Sequence, residues 1–223
     1  MWEGLKEGAK QYSSFFLQKN FCSIIDISRK REDSSHVNID KILSIINGSK
    51  NVLMFLDQDG VLAKYAPDTK ERMYDEHFFL HRPPINKGIS LAKELYDIFE
   101  DKLYVITKAP EPDENGDLSE YAELEKRQWL SKYLPEIGSD HILVQHNYDE
   151  SKASYVLQNL THIDFNDYDL VILIDDFGHN LRSWTADGLD NFISLKVVSD
   201  FNRDNNLDID VETDLFTIDL RED

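Results

Sequence analysis

The chain has 223 residues, of which 41% are hydrophobic, and 43 acidic side chains against 24 basic ones give a formal net charge of −19. This length can bury a full core, and the composition is typical of a globular protein. The negative charge opposes binding to a nucleic-acid backbone, so a long nucleic acid is not an expected partner.

One cysteine, Cys22, excludes an intramolecular disulfide and is typical of a protein from a reducing compartment. No apolar run approaches the roughly 20 residues that a membrane span requires. The N-terminus lacks the basic start and apolar core of a secretory signal. We therefore expect a cytoplasmic protein that does not bind membranes.

Residues 1–50 are predicted to form a helical extension. An amphipathic helix is indicated by apolar residues that recur at helical spacing: Trp2, Leu5, Ala9, Tyr12 and Phe16. A second, shorter helix is predicted to begin with Asn38 as its N-cap and to end at Gly48. The first helix is expected to pack on the body of the protein. The alternative is that residues 1–50 contact a protein partner or form a homodimer.

Residues 51–200 alternate between apolar strands and amphipathic helices. The predicted strands are Val52–Leu56, Leu103–Ile106, Ile142–Val144, Asp169–Ile174 and Phe192–Val198. The predicted helices are Ile89–Phe99, Glu120–Tyr133, Lys152–Leu160 and Asn180–Asp187. Strands separated by helices favour a parallel sheet with helices on both faces. The expected fold class is therefore α/β, a Rossmann-like three-layer sandwich.

Two segments fall outside this alternation. Residues 62–86, between the first strand and the next helix, can form only a small cap insertion, in which His81 and Arg82 could meet a phosphate or a base. A structured surface loop is the alternative for these two residues. Residues 201–223 form an acidic tail in which Leu215–Leu220 alternates like an edge strand.

Polar side chains follow three of the predicted strands. They are Asp57 and Asp59 after the first strand, Thr107 and Lys108 after the second, and Asp175 and Asp176 after the fourth. The carboxyl ends of parallel strands lie on one edge of a sheet, so these groups are expected to converge on one site. An ordinary strand that ends in an Asp-Gly turn is the alternative for the first pair.

Four patterns in chain order resemble the motifs of the haloacid dehalogenase-like phosphohydrolases, over about residues 51–200. They are Asp57-Gln58-Asp59-Gly60-Val61, Val105-Ile106-Thr107, a lysine near a helix start for which Lys152 is our choice, and Leu173-Ile174-Asp175-Asp176. Lys132 is the alternative for the third.

Within that superfamily the chain is most similar to the 5′(3′)-deoxyribonucleotidases and their small bacterial and phage relatives. Three stretches carry this resemblance: Asp59 to Ala63, Glu125 to Leu134, and Leu173 to Asp176 continued through Asn180–Trp184 to Gly188. Gln58 replaces a frequent Met, and Phe177-Gly178-His179 replaces a turn that usually contains Arg-Pro. The second departure leaves the substrate open.

The resemblance implies a two-step phosphoryl transfer. Asp57 would attack phosphorus and form an aspartyl-phosphate, and Asp59 would transfer protons to the leaving oxygen and from water. Thr107, Lys108 and Lys152 would bind the phosphoryl group.

The resemblance also implies a Mg²⁺ cofactor, because this ion prefers oxygen ligands. Asp57, Asp59 through its backbone carbonyl, and Asp175 would hold it, with Asp176 in support. Asp176 could instead cap the turn that follows its strand.

The expected function is a Mg²⁺-dependent phosphomonoesterase acting on a small phosphorylated substrate, a nucleoside monophosphate first of all. The alternatives are a phosphatase for another small phosphate ester or a nucleic-acid 3′-phosphate end, and a weakly active interaction protein that uses the fold as a scaffold.

Overall fold

A computed structural model of the chain describes residues 34–65, 69–110, 118–202 and 216–221. The predicted helix with the apolar stripe from Trp2 to Phe16 lies outside these residues. So do Cys22 and most of the acidic tail.

The described residues contain one parallel sheet of six strands, in the order β3-β2-β1-β4-β5-β6. The strands are β1 (Val52–Leu56), β2 (Leu103–Lys108), β3 (Ile142–Gln145), β4 (Leu170–Asp175), β5 (Phe192–Val198) and β6 (Thr217–Asp219). The predicted strands are thus confirmed, including the edge strand in the tail. The register places Phe55 of β1 opposite Tyr104 of β2 and Leu173 of β4.

Helices cover both faces of the sheet. They are α1 (Ser34–Ile45), α2 (Thr69–Arg72), α3 (Asn86–Phe99), α4 (Leu118–Tyr133), α5 (Lys152–Asn159) and α6 (Gly178–Asp187). The expected Rossmann-like three-layer α/β fold is therefore confirmed. No helix within the described ranges is long and apolar enough to cross a membrane.

The three layers follow from the burial of β1, all of whose residues are buried. Side chains alternate across a strand, so β1 contributes to two cores. Met54 and Leu56 pack in one core with residues of α1, α3 and α4, whereas Leu53 and Phe55 pack in the other with residues of α5 and α6. A strand buried on both faces reads as a continuous apolar run, which is how β1 could be predicted.

The prediction that Asn38 is an N-cap is wrong. The α1 helix begins at Ser34, four residues earlier, and Asn38 lies inside it. The Asn38 side chain instead pairs with the backbone of Asp219 in β6, accepting from its N–H at 3.0 Å and donating to its carbonyl at 2.5 Å. A tertiary contact therefore explains this polar residue, which sequence reasoning assigned to a cap. Gly48 follows the helix with a φ of +94°, as expected for its end.

Backbone hydrogen bonds join the two ends of the cap insertion where it meets the sheet. The Ile85 N–H donates to the Leu62 carbonyl at 2.7 Å, and the Lys64 N–H donates to the Pro83 carbonyl at 2.9 Å. These bonds bring the two ends of the insertion together. The segment between them, which includes the short α2 helix, therefore lies beside the carboxyl end of β1.

Candidate active site

The strand order reverses at β1, which lies between β2 and β4. Open α/β sheets bind ligands at such a switch point, beyond the carboxyl ends of the strands. Asp57 follows β1 directly, and its N–H donates to the carbonyl of Ile174 in β4 at 2.9 Å. Asp175 ends β4, so the two carboxylates are adjacent.

Three fully buried carboxylates converge at this point: Asp57, Asp175 and Asp176. Each offers an oxygen atom within 4.8 Å of the other two. Like charges this close are unfavourable unless a cation lies among them. Oxygen ligands in this number suit a hard divalent cation such as Mg²⁺, whose remaining positions water or a phosphate can fill. The residues present therefore fit the expected ion.

Lys152 supplies a fixed positive charge to this cluster. Its Nζ lies 2.7 Å from Asp57 Oδ1 and 2.7 Å from Asp175 Oδ2, and it also donates to the Ile106 carbonyl at 3.1 Å. Burial alone would lower the pKa of Lys152, but the charges of Asp175 and Asp57 outweigh that effect and raise the pKa above its usual value. The ammonium group is therefore charged at neutral pH.

The structure distinguishes between the two lysines considered for the third motif. Lys132 is exposed, and its Nζ lies over the ring of Tyr133, 4.8 Å from the centroid. Lys152 is the first residue of α5, where the Ser151 hydroxyl caps the helix by accepting from the Ser154 N–H at 3.1 Å. This cap places Lys152 against the sheet edge.

Asp175 is held by two further donors. The Phe177 N–H donates to Oδ1 at 2.8 Å, and the Asn180 side-chain amide donates to Oδ2 at 3.0 Å. Asp175 is thus oriented by the turn into α6, which contains Phe177.

A second ion pair, between Lys126 and Asp59, lies beside the first. Lys126 Nζ donates to Asp59 Oδ2 at 2.5 Å and to the Thr107 hydroxyl at 3.0 Å, and the lysine is fully buried. Arg82 Nη1 lies 3.5 Å from Asp59 Oδ1. The Asp59 carboxylate therefore faces two cations and is not part of the three-carboxylate cluster. A metal contact through the Asp59 backbone carbonyl is compatible with this orientation.

Lys126 had no predicted role, and Arg82, a candidate for contact with a phosphate or a base, lies beside Asp59. Both residues are almost completely buried. A signal for Lys126 is present in the chain, because it is four residues after Ala122 and three before Trp129, on the buried stripe of α4. A charged residue on an apolar stripe requires a buried partner.

Lys108, predicted to bind the phosphoryl group, is directed to a neighbouring loop. Its Nζ donates to the backbone carbonyls of Tyr148 at 3.2 Å and Glu150 at 3.1 Å. These bonds connect the end of β2 to the segment that precedes α5.

Gly60 allows the chain to turn tightly over the acidic cluster. Its φ is +85°, and a Cβ at this position would lie 2.2 Å from Asp176 Oδ2. The Ser199 hydroxyl donates to the Gly60 carbonyl at 3.2 Å. Glycine is thus required both by the backbone conformation and by the proximity of Asp176.

The α4 helix connects the cap to the site. The buried Glu125 carboxylate accepts the backbone N–H groups of His77, Phe79 and Leu80, at 2.7, 3.0 and 3.3 Å. The Trp129 indole donates to the Arg82 carbonyl at 2.7 Å. The α4 helix thus binds the cap through Glu125 and contacts Asp59 through the next residue, Lys126.

Comparisons with known proteins add little to this geometry. No family model and no curated protein matches the chain. A chain in a solved structure of a Pnkp1/Rnl/Hen1 complex is similar, with 16% sequence identity and a TM-score of 0.42 over 67% of this chain and 46% of that one. The match thus spans less than half of that chain.

Proposed function

We propose that the protein is a metal-dependent phosphomonoesterase of the haloacid dehalogenase-like type, with Asp57 as its nucleophile. The observation that carries this proposal is the arrangement at the switch point. One carboxylate is oriented by a buried lysine, two further carboxylates lie within reach of a shared cation, and a second lysine joins Asp59 to a threonine hydroxyl. A scaffold protein gains nothing from such a cluster, because burying charges costs free energy.

Asp57, Asp175 and Asp176 would hold the Mg²⁺ ion, which would neutralise negative charge on the phosphoryl group. The lysines supply charge on the protein side. Lys152 holds Asp57 Oδ1 and so orients the carboxylate for attack on phosphorus.

In the first step an oxygen of Asp57 bonds to phosphorus while the bond from phosphorus to the ester oxygen breaks. The ester oxygen leaves with the bonding electrons and takes a proton from Asp59. In the second step water attacks phosphorus and gives its proton to Asp59. The Asp57–phosphorus bond then breaks, and inorganic phosphate leaves with Asp57 restored.

Competition for Lys126 would allow Asp59 to carry a proton although it faces two cations. In the structure Lys126 matches the negative charge of Asp59 and also touches Thr107. A bound dianionic phosphoryl group would compete for the same ammonium and for the same hydroxyl. The charged form of Asp59 would then be less stabilised, which favours its protonation before the leaving oxygen departs.

The substrate class that we propose first is the nucleoside monophosphates, because of the local resemblance to the 5′(3′)-deoxyribonucleotidases. A cavity of about 380 Å³ lined by Arg82, which contacts Asp59, supports this choice because it has room for a compound of that size.

The reaction is tested with p-nitrophenyl phosphate. The wild type should hydrolyse it with Mg²⁺ and lose activity in EDTA, and Asp57→Asn should abolish turnover while the protein remains folded. Asp97→Asn is the matched control, because Asp97 is an exposed residue of α3. Absence of turnover by the wild type would refute the proposal. A panel of ribo- and deoxyribonucleoside monophosphates then tests the substrate class, and uniformly poor rates would contradict it.

Metal binding has a readout that does not require activity. Mg²⁺ at 100 times its dissociation constant should stabilise the folded state by about 2.7 kcal/mol. For a chain of this length that corresponds to a rise in Tm of roughly 5–11 °C. Asp175→Asn should remove most of the rise, whereas the Asp97→Asn control should retain it. An equal rise in both variants would contradict the assignment of the ligands.

A further inference from the structure

A cavity of about 380 Å³ lies between the cap insertion and the end of β5. Its volume falls in the range of small-molecule sites, about 300–1,000 Å³. Its lining includes Lys64, Tyr65, Arg72, Phe78, Arg82 and Phe201.

The charge of this cavity is opposite to that of the whole protein. Three basic side chains line it, Lys64, Arg72 and Arg82, against one carboxylate, Glu76. Arg72 also pairs with Asp75 at 3.0 Å, so its charge is shared. Arg82 likewise lies 3.5 Å from Asp59, but basic side chains still outnumber the carboxylate in the lining, in a chain whose net charge is −19. A concave basic surface attracts an anion more strongly than the surface around it does.

Arg82 links the cavity to Asp59 of the candidate site. Arg82 lies 3.5 Å from Asp59 at one side, while its guanidinium carbon is 5.6 Å from the Tyr65 ring centroid and 5.3 Å from that of Phe78. The bond from Trp129 to the Arg82 carbonyl holds this part of the backbone in position. One side chain therefore both lines the cavity and contacts Asp59, so the cavity lies next to the candidate site.

Lys64 is positioned beside Phe201, which follows β5. Its Nζ lies 4.1 Å from the centroid of the Phe201 ring. The cavity thus offers cations next to aromatic faces, which together suit a molecule that has both a flat or apolar part and a negative charge.

We propose that this cavity binds a second phosphate group of the substrate, so that the preferred substrate is a small phosphate monoester with a further phosphate, such as a nucleoside bisphosphate. The inference rests on the proposed function and makes it more specific. One phosphate is transferred to Asp57, and the other is bound by Lys64 and Arg82. A simple monophosphate has no second phosphate with which to contact these side chains.

The experiment compares adenosine 3′,5′-bisphosphate with adenosine 5′-monophosphate and 3′-monophosphate. In the wild type kcat/KM should be at least about tenfold higher for the bisphosphate, as expected for one additional charge-assisted contact. Lys64→Met should reduce this ratio toward one. Lys132→Met, which removes an exposed lysine of α4, is the matched control and should keep the ratio.

A binding measurement gives the same comparison without turnover. In the Asp57→Asn protein with Mg²⁺, calorimetry should show at least about tenfold tighter binding of the bisphosphate than of either monophosphate. Adding Lys64→Met to that variant should remove the difference. These comparisons between ligands use one protein at a time, so a change in folding does not imitate the result.

Equal kcat/KM values for the three nucleotides in the wild type, together with Mg²⁺- and Asp57-dependent hydrolysis of p-nitrophenyl phosphate, would overturn this inference and leave the proposed function intact. Absence of turnover on every ester would overturn both. Faster hydrolysis of a short oligonucleotide with a 3′-phosphate than of the bisphosphate would also overturn the inference, in favour of a nucleic-acid end as substrate.

Discussion

Replacement of Lys152 by methionine tests whether one buried cation holds the acidic cluster together. Lys152 makes two ion pairs of 2.7 Å with carboxylates that are fully buried, and it is fully buried itself. Methionine fills a similar volume but leaves Asp57 and Asp175 without this counter-ion. Breaking a buried ion pair by removing one partner costs about 3–5 kcal/mol.

That cost is large compared with the total stability of a domain, about 5–15 kcal/mol. It corresponds to a decrease in Tm of roughly 6–20 °C for a chain of this length. Urea unfolding at neutral pH in EDTA measures it, since EDTA prevents a divalent cation from taking the place of the lysine. Asp175→Asn in the same chain should recover part of the loss, because it removes one of the charges left uncompensated.

Lys132→Met is the control, because Lys132 is exposed and its ammonium lies over the ring of Tyr133, 4.8 Å from the centroid. Its effect should stay within about 0.5 kcal/mol. If Lys152→Met were to differ from Lys132→Met by less than about 1 kcal/mol, Lys152 would not be the residue that balances the cluster, and the ion-pair reasoning would be refuted.

Two further predictions concern the backbone at the two ends of β1. Gly60→Ala should destabilise the protein by more than Gly48→Ala: both have positive φ, which costs about 1–2 kcal/mol for alanine, but only at Gly60 would the Cβ overlap Asp176. Equal Tm values for the two variants would contradict this. Hydrogen bonds from the two backbone N–H groups before β1 lower the pKa of Asp169 below its usual 3.8. Asp169 therefore stabilises the fold above that pH and loses this effect as the pH falls through the lowered pKa, so the difference in Tm between wild type and Asp169→Asn should shrink in acid; a difference independent of pH would argue against it.

The strands could be predicted from local sequence because the sheet buries both of its faces. Val52–Leu56 is a continuous apolar run for that reason, and the acids that follow it mark the carboxyl end of the strand. The convergence of Asp57 and Asp175 could also be predicted, since parallel strands present their carboxyl ends on one edge. The positions of these acidic residues relative to the strands therefore determined where the cluster would form.

Other features depended on contacts between elements that are distant in sequence. Lys126 reaches Asp59 across 67 residues, and Asn38 reaches β6 across 181 residues. Helical periodicity indicates which face of a helix is buried but not which atom a long side chain will meet there. The same limit applied to Lys152 and Lys132, both of which were suitable in composition and spacing. Only the packing of α5 against the sheet decided between them, because an ammonium group becomes a partner of a carboxylate when the fold brings the two within hydrogen-bond distance.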